Sequence, residues 1–130
     1  MSTLRVSTIQ DTAGSNSSTP SAIANGIAKA WVNFNGTGTV AIRAQYNVSS
    51  ITDNGVGDYT VNFTSAFADA NYAITTLGGN DSYDDGYTEI FGRGPNFSQL
   101  ASSVRLQGTN NFSGAGYRSD INYAHAAFFR

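Results

Sequence analysis

The feature that most constrains this chain is a period of two on either side of a glycine-rich turn. After Asp53-Asn54-Gly55-Val56-Gly57-Asp58, the residues Tyr59, Val61 and Phe63 alternate with Thr60, Asn62 and Thr64. In an extended backbone successive side chains point to opposite faces, so one row is apolar and the other is hydroxyl and amide. Asn, Asp and Gly are the residues that tolerate the left-handed conformations of tight turns, so this segment is predicted to be a β-hairpin with one buried face.

The same period recurs along the chain. Ala30, Val32 and Phe34 share a face, Gly36-Thr37-Gly38 turns the backbone, and Val40, Ile42, Ala44, Tyr46 and Val48 share the next face opposite Arg43, Gln45 and Asn47. That second run is predicted as one half-buried strand. Further strands are expected at Tyr72–Leu77, Tyr87–Phe91 and Val104–Gln107, and Asp120–Arg130 closes the set. The closing segment places Ile121, Tyr123, His125, Ala127 and Phe129 on one side, with Ala124, Ala126 and Phe128 on the other. It is apolar on both, as a central strand or a strand between subunits would be. Near the start, Thr3–Gln10 alternates briefly as a short strand and Asp11–Pro20 reads as a flexible connector. Ser21–Ala30 is weakly helical, with Ser21 available as a cap and Gly26 opposing it. Many short strands with Gly/Asn turns predict an all-β protein, a sandwich or a barrel, and the expected fold is an antiparallel β-sandwich of jelly-roll-like type. The expected division is an arm over residues 1–20 and a head over 21–130.

Composition narrows the function classes. Only 12% of residues are charged and the formal net charge is -2, so there is no basic stripe for a phosphate backbone, and no nucleic-acid partner is expected. Gly, Ser, Thr and Asn make up about two-fifths of the chain, a surface solvated by hydroxyls and amides in place of ions. There is no cysteine, which leaves packing or oligomerisation to hold the fold. The first ten residues lack the basic and apolar regions of a secretory signal, and no run approaches membrane-spanning length, so folding in a cytoplasm without membrane insertion is expected. The Asn-x-Ser/Thr triplets are then a by-product of composition.

The run AKAWVNFNGTGTVAIRAQYNVSSITDNGVGDYTVNFTSAFADANYAI, residues 28–74, resembles a module of bacteriophage tail fibres and related virion proteins, notably of phages of marine and cyanobacterial hosts. Its telling pieces are KAWVNFNG, Tyr46-Asn47-Val48-Ser49-Ser50, DNGVGDYTVNF and Asp69-Ala70-Asn71-Tyr72-Ala73. The leading TLRVSTIQDTAG is similar to the segment that often precedes it. The resemblance implies a homotrimer with a β-rich head on the virion surface, assembled in the host cytoplasm with other tail or capsid proteins. A tail-fibre module for host recognition is the leading role, a capsid decoration protein the alternative, and a tail-associated polysaccharide depolymerase trails both.

Several residue groups are candidate sites. Asn80–Tyr87 followed by Glu89 gathers acidic groups in a Gly-bounded loop; its spacing is not that of a calcium loop, and a solvated turn is expected. Aromatic rings interleaved with amides and carboxylates suit sugars, because rings stack on apolar sugar faces while polar groups bond the hydroxyls. Tyr83, Asp84, Asp85, Tyr87, Asn110, Asn111, Phe112 and Tyr117 are therefore the candidate glycan or receptor loops, the alternative being that the rings plug the ends of the fold or the trimer axis. Trp31 lies opposite the Ala30, Val32, Phe34 row and either anchors a neighbouring subunit or packs on its own arm. With Tyr123, His125, Phe128 and Phe129 it forms the candidate subunit interface. The sole histidine has no nucleophile elbow to serve, and Glu89 is the sole glutamate, so neither a Ser-His-Asp triad nor a glycosidase carboxylate pair is expected. No catalytic residue, metal or cofactor is assigned.

Overall fold

A computed structural model describes residues 2–80, 88–112 and 115–130. The protein is mostly β and its sheets are antiparallel. The first sheet has the order β2-β1-β10-β5, built from β1 (Ala30–Asn35), β2 (Ala41–Tyr46), β5 (Ala73–Gly79) and β10 (Tyr123–Phe129). The second has the order β3-β4-β8-β6, built from β3 (Val48–Asp53), β4 (Asp58–Phe63), β6 (Thr88–Gly92) and β8 (Ser103–Phe112). Two short strands, β7 (Ser98–Gln99) and β9 (Ala115–Arg118), also pair with β8.

The inward rows of both sheets meet in one core. Ala30, Val32 and Phe34 of β1 and Ala124, Ala126 and Phe128 of β10 come from the first sheet; Val48, Tyr59, Val61, Phe63, Phe91, Val104 and Leu106 come from the second. Phe34 meets Tyr59 edge-on at 5.2 Å and Phe63 meets Phe128 at 5.0 Å, contacts that join the sheets at both ends of the core. The alternation after the Asp53–Asp58 turn is as the sequence predicts: β3 and β4 pair as a hairpin, with Tyr59, Val61 and Phe63 buried. Gly57 is obligatory there. Its φ is +61°, and a Cβ would come within 2.5 Å of the Gly108 carbonyl oxygen.

The structure corrects four expectations. The run Val40–Val48 is not one half-buried strand. Asn47 takes a left-handed φ of 55° and switches the chain from the edge of the first sheet to the edge of the second, so β2 is exposed along its whole length while Val48 turns inward. Asn47 holds this corner through Nδ2, which donates to the carbonyls of Lys29 and Ser65, and through Oδ1, which accepts from the Ser65 amide. Second, Thr3–Gln10 is not a strand: only Ile9 pairs, in an isolated bridge with Ser18 that closes a turn tied by Asp11 to Ser15 and Asn16. Third, the helix α1 runs Pro20–Gly26, with Thr19 as its cap, and buries nothing. Fourth, Ile121 does not lie on the outward row with Tyr123. It precedes β10, is fully buried, and its amide donates to the Tyr59 hydroxyl. The packed region begins at Lys29, whose amide donates to Phe128, and residues 2–22 are exposed throughout.

Candidate functional site

The outward face of the first sheet is unlike the rest of the surface. Its register places Trp31 beside Tyr46 on one side and Ala127 on the other, Asn33 between Ala44 and His125, and His125 beside Leu77. Leu77 is 69% exposed, Tyr46 57% and Trp31 39%. Between them lies a shallow depression of about 390 Å³ whose floor and rim include Asn33, Ala44, Thr75, His125 and Ala127. These outward rows contain no carboxylate. Their one guanidinium, Arg43, is tied down: Nη1 donates to the carbonyls of Phe34 and Asn122 at 3.0 and 2.7 Å, and the group stacks 4.8 Å from the Tyr123 ring centroid.

Of the expected interface residues, Trp31, Tyr123, His125 and Phe129 share this outward face. Phe128 does not. It is fully buried among Phe63 and Tyr72, because the strand period turns it inward with Ala124 and Ala126, so it builds the core of its own chain. β10 is the central strand of the pair of possibilities that the sequence left open, lying between β1 and β5.

The candidate receptor loops fare differently. Tyr83, Asp84, Asp85 and Tyr87 lie outside the described residues. Asn110, Asn111 and Phe112 belong to β8, paired with both β6 and β9, so their backbone is strand and not loop; their side chains lie outside the described part. Tyr117 stands in β9 and is exposed. Among the described residues, no group of three or more His, Asp or Glu side chains is arranged to hold a metal.

A polar cluster at the end of the second sheet escaped the sequence reading. Asp58 is fully buried on the outward side of β4. Its carboxylate accepts from Arg105 Nε at 2.7 Å and Nη2 at 3.0 Å, from Gln107 Nε2 at 2.7 Å and from Arg118 Nη1 at 3.1 Å. The Arg105 hydrogen bonds outweigh the cost of burial and, with Gln107 and Asn96, hold the carboxyl at about 2; Asp58 in turn raises the guanidinium of Arg105. Gly94 lies directly over the Gln107 amide, where a Cβ would fall 1.6 Å from Oε1, so the 93–97 segment closes the cluster. The cluster staples β4, β8 and β9 together. The only sequence signal was an Asp set between Gly57 and Tyr59, which is also what a turn residue looks like.

Comparison with protein-family models, with curated proteins and with solved structures finds no match to this chain.

Proposed function

We propose that this chain is a structural protein of the bacteriophage virion surface: a homotrimeric, jelly-roll-like β-sandwich head that serves in a tail fibre for host recognition or adsorption. The observation that carries the reading is the division between head and arm. From Ala30 onward the chain closes a core, whereas Leu4, Val6, Ile9 and Ile27 are all exposed on a segment that buries nothing of its own. An arm that carries apolar residues and gains no burial in its own chain is suited to ordering on a larger assembly. The two sheets sharing one core, with the chain crossing between them after β2, β4 and β5 and again before β10, support the sandwich reading. The resemblance of residues 28–74 to tail-fibre modules supports the virion setting. Its partners are then two further copies and neighbouring tail proteins, with a host glycan at the β8–β9 end, where Tyr117 is exposed. The role is one of binding and assembly, with no catalytic step. The arm equally favours a second reading, a decoration protein clipped to the capsid lattice.

Removing residues 1–19 tests the proposal. The truncated chain should keep the circular dichroism spectrum and melting temperature of the full chain and lose uptake onto particles lacking the native copy. A truncated chain that attaches normally would place attachment on the head and overturn the arm's role. Cryo-EM of the whole particle separates the two readings: density at the tail supports the fibre, density at capsid symmetry positions the decoration protein.

A further inference from the structure

We infer that the outward face of the first sheet is where copies of this chain meet, turned toward the axis of the trimer, with the open edge β2 completing the contact. This rests on the homotrimer reading and assigns its surface. Three observations single out a second copy as the occupant.

The first is charge. The outward rows of β1, β2, β5 and β10 bring no carboxylate, and the guanidinium of Arg43 is already spent on two carbonyls of its own chain. A partner with a charged docking surface finds nothing to pair with, whereas a face of the same composition meets it without an unpaired ion. The second is composition. Trp, Tyr, His and Leu around a depression floored by Ala and Asn is the make-up of an interface centre, where aromatic residues are enriched and Lys, Glu and Asp depleted.

The third is area. Four strands at about 4.8 Å and six residues at about 3.3 Å give a face of roughly 20 by 20 Å. That is about half of the roughly 800 Å² that each partner gives to a standard interface, so flanking surface must join it. The free edge of β2 and its other row supply this surface: all six residues of the strand are exposed, so Ile42 and Gln45, paired with the inward Phe34 and Val32, add to the row already counted through Tyr46 and Ala44. A threefold ring joins two different patches of each copy, which a face and its neighbouring edge provide.

Trp31 is the only tryptophan, so the chain carries its own reporter. In sedimentation velocity the full chain should run at three times its monomer mass. On dilution, its tryptophan emission should shift to the red as the mass falls, and acrylamide should quench it in the dissociated chain far more than in the trimer. Leu77→Glu, at the most exposed apolar position of the face, should raise the concentration of half-assembly about tenfold or more while leaving the dichroism spectrum unchanged. Thr52→Glu, on the outward face of the second sheet, should leave assembly as it is. A trimer whose Trp31 is freely quenched, or a Leu77→Glu chain that assembles like the parent, overturns the assignment and leaves the trimer standing. A parent chain that is monomeric at micromolar concentration overturns the trimer itself. Should Leu77→Glu unfold, the quenching of the unaltered chain still decides.

Discussion

The two sheets are built alike on the inside and differently on the outside. Both send large apolar residues inward at every second position, from Phe34 and Phe128 in one sheet to Val61 and Phe63 in the other. Outward, the second sheet is a lattice of small polar groups that satisfy one another: Asn62 Nδ2 donates to the hydroxyls of Ser50 and Thr52, and Asn54 Nδ2 to that of Thr60. The first sheet presents Trp31, Tyr46, Leu77 and Tyr123 in the equivalent position. Inward rows specify the fold, and both sheets must have them. Outward rows are free of that demand, and here they differ: hydroxyls and amides on the second sheet, aromatic and aliphatic side chains on the first.

If the interiors are equivalent, matched truncations should cost alike. Phe128→Ala in the first sheet and Phe63→Ala in the second should each destabilise the chain by about 3–5 kcal/mol, read by denaturant melts, because each leaves a ring-sized cavity among aromatic neighbours. A large imbalance would break the symmetry of the two inward faces.

The cluster of Asp58 with Arg105 and Arg118 is the exception to a small polar exterior on the second sheet, and Asp58→Ala sharpens that exception. The substitution should cost about 3 kcal/mol, the low end for breaking a buried ion pair, since both arginines keep a solvent-facing side. The same group sets an acid limit. Its folded value of about 2 lies below the ordinary 3.8, so the carboxylate contributes its full stability above about pH 4 and loses it as pH falls toward 2. Melting temperatures from pH 5 to pH 2 should therefore fall for the parent chain and fall less for Asp58→Asn. The smallest effect belongs to the hydroxyl lattice. Thr60→Ala should shift stability by no more than about 0.5–1 kcal/mol, the worth of one partly exposed hydrogen bond.

Sequence reasoning reached the inward rows because burial writes itself as alternation: Ala30 to Phe34 and Tyr59 to Phe63 were legible from period alone. Parity also set Trp31 opposite the Ala30, Val32 and Phe34 row and set His125 and Phe129 on one side of the closing segment, while the β1–β10 pairing that brings them to one face left no local mark. What it missed depends on events at single residues. Val40 to Val48 keeps a continuous period of two, yet Asn47 enters the left-handed region and carries the second half of the run into another sheet; Asn is the non-glycine residue readiest to do so, and nothing in the alternation marks it. Phe128 was grouped with Phe129 by composition although parity separates them. The Asp58 cluster joins residues from β4, β8 and β9, and such pairing across distant segments leaves no trace in local pattern.

The register of β1 against β10 carries a consequence for how the chain acquires its structure. Ala30 pairs with Phe128, about 100 residues away, and β5 reaches β1 only through β10. The β3–β4 hairpin can form as soon as it leaves the ribosome, and β8 can join it later in synthesis. The first sheet gets only part of the way early: β1 and β2 can pair as a hairpin, but β5 and the second edge of β1 wait without their central strand until residues 123–129 emerge. During that interval β1 and β5 expose unpaired edges, and Trp31 and Leu77 stand beside them uncovered. The outward face that carries Trp31 and Leu77 is thus also completed late, assembled only as each chain closes its own core.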